Sequence, residues 1–466
     1  MFEIDRRGFV QGLASLGVAS RLRSEEAPEP VAKPMNIVYI HSHDSGRYLS
    51  PYGHAIPTPN LDRLARQGMI FRRAFSAAPT CSPSRAALLT GCYAHQNGML
   101  GLAHLGFRLN DYTQHIAHAL RPTGYTSVLT GLQHIAADPA VIGYDEVRKP
   151  KSTKAIDVAP NTVEYLKSNP KQPFFLDVGF FETHRTFPEP SADDNPNYIM
   201  PPSPIPDTEV TRKDMAGYRA SARQLDRGIG QVLDALDRYG LSENTLVLST
   251  TDHGIAFPDM KCSLRDNGFG VSMIIRGPKD FKPGTACDAV VSHLDIYPTL
   301  CELAGVPKPA WLEGKSLLPL LRGEVNELHD AVFAEVNYHA AYEPKRAART
   351  ARWKYIRRYD GRTTAVLPNC DDSASKQLWL ANGWQTEHME HEEELFDLMF
   401  DPAEQTNLAA DPARHAVLLD MRLRLDTWMK ATNDPLLKGP VPLPPGGRTT
   451  PVNEINPKPE KAGVAT

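Results

Sequence analysis

Four short apolar runs mark the chain, and each ends in polar residues able to do chemistry. Ile37-Val38-Tyr39-Ile40 precedes His43 and Asp44, and Ser127-Val128-Leu129 leads to Gly131 and His134. Phe174-Phe175-Leu176-Asp177-Val178 leads to Glu182 and His184, and Leu246-Val247-Leu248 leads to Asp252, His253 and Gly254. Short, nearly continuous apolar runs predict strands buried on both faces, as in a parallel sheet. Helical patterns alternate with them. Thr58-Pro59-Asn60-Leu61 reads as an N-cap followed by proline in the first turn, with Leu61, Leu64 and Ala65 on one face. Met215, Tyr218, Ala222, Leu225, Ile229, Val232 and Leu236 recur at helical spacing and predict a long amphipathic helix before the Leu246 strand. This order predicts an α/β fold with a right-handed, mostly parallel sheet flanked by helices. Ligands of such sheets collect beyond the carboxyl ends of the strands. Four strand ends carrying Asp or His therefore predict one shared site.

The pattern changes along the chain. Residues 188–206 are proline-rich and predict a surface loop near that site. Residues 35–325 read as the main domain, the one that carries the four strand ends. After about residue 325, Trp353-Lys354-Tyr355-Ile356 and Leu395-Phe396 look like strands and Ala416 to Lys430 like a helix, predicting a smaller C-terminal α+β subdomain over 326–435. The last 32 residues hold eight prolines, so 436–466 reads as an extended tail.

The 466 residues are 41% hydrophobic and 23% charged, ordinary for a globular chain with a large core. With 51 basic and 55 acidic residues the net charge is −4, which argues against a nucleic-acid binder. It leaves a small anionic substrate open, since a few local cations suffice for that. Arg6-Arg7 followed by Gly8-Phe9-Val10 and a short apolar run to Ala19 resembles a twin-arginine export signal, with a linker to residue 34. That run is far below the ~20 residues a membrane span needs. Such export would place the protein in the periplasm or outside the cell. The six cysteines (81, 92, 262, 287, 301, 370) form no paired metal spacing and imply no disulfide framework.

The most specific segment is Cys81-Ser82-Pro83-Ser84-Arg85, followed by Leu88-Leu89-Thr90-Gly91. Pro83 suits the first turn of a helix and Gly91 its end. Cys81 then sits at a helix N-terminus, which favours an anion, with Arg85 one turn further on the same face. A cysteine at a helix start is also a modest structural feature. By residue frequencies alone, however, Cys-x-Pro-Ser-Arg arises on the order of once in a thousand such chains.

Cys81 to Gly91 resembles the signature of the formylglycine-dependent (type I) sulfatases of the alkaline-phosphatase-like superfamily. The resemblance runs from Asn36 to about Pro435 and includes Thr58-Pro-Asn-Leu-Asp, Asp252-His-Gly, Asp295-Ile-Tyr-Pro-Thr and Asp401-Pro-Ala-Glu-Gln-Thr-Asn-Leu. His95-Gln-Asn-Gly-Met, Gly254-Ile-Ala-Phe-Pro and the Asp401–Pro435 region are most similar to the heparan N-sulfatase (sulfamidase) branch. The resemblance implies a sulfuric ester hydrolase or sulfohydrolase in which a maturation enzyme oxidises Cys81 to formylglycine. One hydroxyl of the hydrated aldehyde attacks sulfur; loss of the second hydroxyl's proton then expels sulfate. It implies Arg85 as nucleophile and sulfate contact, His134 as base for that collapse, and His184 and Lys261 as sulfate ligands and leaving-group acids. The metal pocket would be Asp44 with His43, Cys81, Asp252 and His253, usually around calcium.

Two positions depart from the family pattern. His43 stands where most members have an aspartate, so it is either a ligand or a hydrogen-bond partner of Asp44. Two imidazoles also leave manganese or zinc open. Leu132 replaces a lysine that contacts the sulfate, a change worth about 2–4 kcal/mol of transition-state stabilisation unless Gln133 or a neighbour compensates. His95, Gln96, Asn97 and Arg265 are candidates for contacting the sugar. His115 and His118 read as packing residues, and Cys92 as a small buried hydrophobe. The expected substrate is a sulfated saccharide, with glucosamine N-sulfate as one form. The alternatives are a phosphoesterase or phosphonate hydrolase of the same superfamily, or a non-catalytic sulfosugar-binding homologue.

Overall fold

The computed structural model describes residues 35–461 apart from 279 and 459. The twin-arginine segment and linker, and the last five residues of the tail, lie outside the described residues.

All four apolar runs are strands, and they lie side by side. β1 (Asn36–Ser42), β3 (Thr126–Gly131), β5 (Phe174–Gly179) and β6 (Thr245–Thr251) form the parallel centre of a nine-stranded sheet. Its order is β4-β3-β5-β1-β6-β8-β2-β7, with β9 also on β2. The remaining strands are β2 (Met69–Phe75), β4 (Glu146–Arg148), β7 (Gly270–Val271), β8 (Met273–Arg276) and β9 (Thr285–Ser292). β8 runs antiparallel to both β6 and β2, so only this side of the sheet is mixed. The register brings the strand ends level: His41 pairs with Gly179 and Thr250, and Gly131 pairs with Gly179.

Residues of β1 alternate between two cores. Val38 and Ile40 face one side, packed with Leu64, Leu225, Ile229 and Val232, whereas Ile37 and Tyr39 face the other, with Leu88, Leu89, Leu120 and Leu300. The first core lies under α1 (Pro59–Gln67), α5 (Ala155–Lys167) and α6 (Glu209–Arg238). The second lies under α2 (Cys81–Thr90) and α4 (Ile116–Leu120), which the short α3 (Ala94–Asn97) separates along the chain. The helical spacing from Met215 to Leu236 falls within α6. Thr58 occupies the N-cap of α1 without a side-chain cap; the Asp226 carboxylate of α6 accepts the Asn60 and Leu61 N–H groups instead (3.0 and 2.9 Å). Residues 188–206 are irregular, with two short turns over α6, where Arg223 pairs with Asp193 and Asp194 (2.9 and 2.6 Å).

A second, antiparallel sheet follows: β10 (Ala331–Tyr338), β11 (Tyr342–Thr350), β12 (Trp353–Arg358) and β13 (Glu393–Asp397), covered by the helix His415–Ala431. Trp428 of that helix stacks on Phe333 and meets Tyr93 edge-on (ring centroids 5.2 and 4.9 Å apart), seating this sheet against the segment after α2. The tail crosses the surface: Tyr338 donates to the Val441 carbonyl (2.8 Å) and Arg448 to that of His104 (2.8 Å).

Candidate active site

The serines of Cys81-Ser-Pro-Ser-Arg fix the start of α2. Ser84 donates to the Asp252 carbonyl (2.6 Å) and receives from Ser76 (2.8 Å), while Ser82 accepts the Ala103 N–H (3.0 Å). The helix start is thereby tied to the end of β6. At the other end Gly91 adopts φ +72°, and a Cβ there would lie 2.3 Å from Leu312. The whole of α2 is buried, so its N-terminus presents residue 81 to a crevice shielded from bulk water.

Around Cys81 the strand ends converge. Its Sγ lies 3.3 Å from Nε2 of His253, and a ring nitrogen of His134 comes within 4.8 Å of it. Burial alone would raise the thiol pKa, but Lys261, His253 and His43 hold it well below its usual value. The pocket is built for negative charge at residue 81. Arg85 lies one turn on, its Nη2 donating to the Ser42 carbonyl and to Asp252 Oδ2, both at 2.9 Å, and its Nη1 to His41. Lys261 spans two carboxylates, Asp44 (3.0 Å) and Asp371 (2.9 Å), and its Nζ is 3.5 Å from His184 Nε2. His184 is 26% exposed and marks the mouth of the crevice.

Asp44 takes a left-handed backbone (φ 49°), which lets its N–H reach Asp252 Oδ1 at 2.9 Å. The ligating atoms of His43, Asp44, Cys81 and Asp252 all lie within 4.8 Å of one another. His43 Nδ1 sits 3.2 Å from Asp44 Oδ1 and 3.0 Å from Asp252 Oδ2. The nitrogen thus points into the carboxylate pair, the placement both readings of His43 require. His253 directs Nδ1 to the Gly254 carbonyl (3.0 Å) and Nε2 to Asp44 Oδ1 (3.3 Å), so Nε2 would serve a metal ion only after giving up its proton. Burial alone would lower the His253 pKa, yet Asp252, Cys81 and Asp44 raise it to about 9. Two buried carboxylates that hold positive charge on their neighbours fit a divalent ion.

Leu132 itself brings no cation to its position, and Gln133 does not stand in for one. Gln133 serves its own loop, accepting from Ile135 and Ala136 and donating to the Ala136 carbonyl. Beside it, His134 (φ 57°) is drawn down by burial to a pKa of about 4, so it is a neutral acceptor next to residue 81. His104 stacks on it, with Nδ1 3.2 Å from His134 Nε2.

Four expected sugar contacts point elsewhere. His95 pairs with Glu335 at 2.9 Å with its side chain 1% exposed, since it docks the second sheet. Gln96 caps its own helix at Tyr93 and reaches Glu313, and Asn97 bonds Thr90, Cys92 and Met99. Arg265 is consumed by Asp259 and Glu394 (2.9 and 2.6 Å) and lies over Phe396. Each is used in fixing the loop it sits on. His115 and His118 are packing residues: His115 accepts the Ala117 N–H at the start of α4, and His118 bonds the Ile142 carbonyl. Cys92 is buried, its thiol raised by that burial to about 11, and all six cysteines are unpaired. Asp371, His104, His41 and Asp177 were not singled out from the sequence. Asp177 alone carried a signal, an acid inside an otherwise apolar strand.

The mostly parallel sheet flanked by helices, with its small antiparallel C-terminal sheet, is an alkaline-phosphatase-like fold, and at its strand ends residue 81 at a helix start faces paired carboxylates. The chain matches the family described as Sulfatase over residues 35–306, and the one described as N-sulphoglucosamine sulphohydrolase, C-terminal, over residues 256–373. The chain belongs to the sulfatase family. It is 30% identical to an ulvan-active sulfatase of Formosa agariphila, over 93% of this chain and 88% of that one. It is also 30% identical to the human N-sulphoglucosamine sulphohydrolase, over 88% of this chain and 92% of that one. Two solved structures share its fold. One, in complex with its substrate D-glucosamine-2-N,6-O-disulfate, has a TM-score of 0.71 at 19% identity, covering 86% of this chain and 99% of that one. The other, a phosphonate monoester hydrolase of Agrobacterium radiobacter, has a TM-score of 0.65 at 21% identity, covering 88% and 100%.

Proposed function

We propose that this sulfatase removes sulfate from a saccharide, with glucosamine N-sulfate of the heparan type as its leading substrate. The reading includes conversion of Cys81 to formylglycine by a maturation enzyme and a calcium ion in the Asp44–Asp252 pocket. The observation that carries it is that His253 Nε2 lies 3.3 Å from residue 81 at the start of α2, with Arg85 one turn further along that helix and the charge of Lys261 acting on the same position. The identity to human N-sulphoglucosamine sulphohydrolase supports the choice of sugar.

Asp44 and Asp252, with His43 and His253, would hold the ion, whose charge would ease the approach of an anionic sulfate to an oxygen nucleophile. Arg85 and Lys261 bind sulfate oxygens. His134, a neutral acceptor beside residue 81, would take the proton of the second hydroxyl as sulfate is released. His184 turns Nδ1 to the Arg185 carbonyl (2.5 Å), so its Nε2 is an acceptor facing Lys261 Nζ at the mouth (3.5 Å), and the proton for the departing alcohol or amine comes from Lys261, directly or through His184. The Arg6-Arg7 segment supports export of the folded, modified enzyme to the periplasm or beyond.

Matured protein assayed in parallel on glucosamine N-sulfate, O-sulfated disaccharides, aryl sulfate and aryl phosphate is expected to release sulfate from the N-sulfated sugar. Release only from O-sulfated units would overturn the choice of substrate. Preferred hydrolysis of phosphate would favour the phosphoesterase alternative, and binding without release the non-catalytic one. Chelation is expected to abolish turnover and calcium to restore it; restoration by zinc or manganese alone would reassign the metal. An Arg6→Lys/Arg7→Lys variant is expected to remain in the cytoplasm.

A further inference from the structure

Behind Arg85 runs a buried line of side chains that the reaction outlined above does not use. Arg85 Nη1 meets His41 Nδ1. A guanidinium has only donors, so Nδ1 is the acceptor and the imidazole carries its proton on Nε2. That N–H donates to Asp177 Oδ1 (2.9 Å), and Asp177 Oδ2 accepts from the Tyr144 hydroxyl (2.5 Å). The Tyr144 oxygen in turn faces His115 Nε2 (3.3 Å), and His115 Nδ1 accepts the Ala117 N–H (3.2 Å). Each proton position is dictated by its neighbours, from the guanidinium to the backbone of α4. His41, Asp177 and His115 are at most 2% exposed.

The His41 ring is also held mechanically. It stacks on Tyr39 with ring centroids 4.8 Å apart. On its other flank lies Gly179, where a Cβ would come within 2.5 Å of His41 Cε1. A carboxylate buried in a central strand is expensive, and apolar side chains would fill the space at no such cost. The guanidinium keeps one buried donor without a protein partner, Nε.

We propose that His41 is a positioning residue: its tautomer, set by Asp177, aims Arg85 at a sulfate group held at residue 81, and Tyr144 and His115 keep that tautomer in place. The inference rests on reading Arg85 as a sulfate contact.

The test is a double-mutant cycle between His41→Phe and Arg85→Lys in preparations matched for formylglycine content. Calorimetry of inorganic sulfate binding, which needs no turnover, is read beside kcat/KM. His41→Phe is expected to lower kcat/KM about 100-fold, the scale of a misplaced reacting group. It is also expected to weaken sulfate binding, and to add nothing in the Arg85→Lys background. Losses that multiply, or unchanged sulfate binding in His41→Phe, would overturn the assignment. If His41→Phe fails to fold, Tyr144→Phe replaces it, removing one donor at the far side of Asp177. A smaller loss that again vanishes in the Arg85→Lys background is expected, and a multiplicative one contradicts the proposal. Wild-type protein that binds sulfate but releases none would refute the functional reading while the binding cycle still decides the role of His41.

Discussion

Lys261 is held between Asp44 inside the crevice and Asp371 from the loop after β12, at 3.0 and 2.9 Å. Asp371 therefore acts as the outer stay of a cation that the proposed reaction uses. Asp371→Ala is expected to lower kcat/KM roughly tenfold, the equivalent of about 1.5 kcal/mol for one charged hydrogen bond, with little change in stability. Steady-state kinetics beside thermal melts check this, and an unchanged kcat/KM would show that Asp44 alone suffices. The contrast between Asp371 and Arg265 shows what the sequence makes legible at this scale. His43, Asp44, His134, His184, Asp252 and His253 were visible because each ends an apolar run. Lys261 and Arg85 were visible through the family motif. Asp371 stands in no motif and reaches the site only through the fold. His95 to Asn97 and Arg265 lie close to the motifs in sequence, but His95 Nδ1, the Gln96 and Asn97 amides and the Arg265 Nη atoms are taken up by their own loops and by the second sheet.

At the level of elements, α2 was readable end to end, because proline in its first turn and glycine after its last are local signals. The start of α1 was only half readable. Thr58 has the right chemistry for a cap, but its hydroxyl bonds Ser50 (2.7 Å), and Asp226 takes over the helix N–H groups from 166 residues away in sequence. Asp226→Ala is expected to destabilise the fold by about 1–2 kcal/mol, as loss of an N-cap does, while leaving kcat unchanged. Denaturant melts measure the first and assays the second; a stability loss within error would mean Thr58 can resume the cap. The antiparallel side of the sheet was not readable. β2 turns to Arg72-Arg73 after three apolar residues, and β7 has two residues, too few to show any period.

Across the whole molecule, the second sheet is fastened to the segment after α2 by a fully buried ion pair. Burial alone would lower the His95 pKa, but the charge of Glu335 raises it, and the same pairing holds Glu335 down at about 2. The sign follows from both shifts. The raised histidine stabilises the fold fully below its unfolded pKa, near 6.5, and the contribution fades as pH rises through the folded value. The depressed glutamate stabilises it above its unfolded pKa, near 4.5, and the contribution fades as pH falls toward 2. Glu335→Gln is therefore expected to lose about 3 kcal/mol, on the scale of breaking a buried pair, between roughly pH 5 and 6.5, with the deficit shrinking at higher pH. Melting curves over that range test it, and a pH-independent deficit would show that packing around Trp428 dominates instead. No periodicity in the sequence could announce this contact, because 240 residues separate its partners.

The measurement that bears most directly on the chemistry is mass spectrometry of the peptide containing residue 81, taken from protein made in its native host and assayed in the same preparation. The expected result is that the sulfur of Cys81 is replaced by a carbonyl oxygen, in a fraction that tracks specific activity. An intact thiol at residue 81 in fully active enzyme would contradict the account.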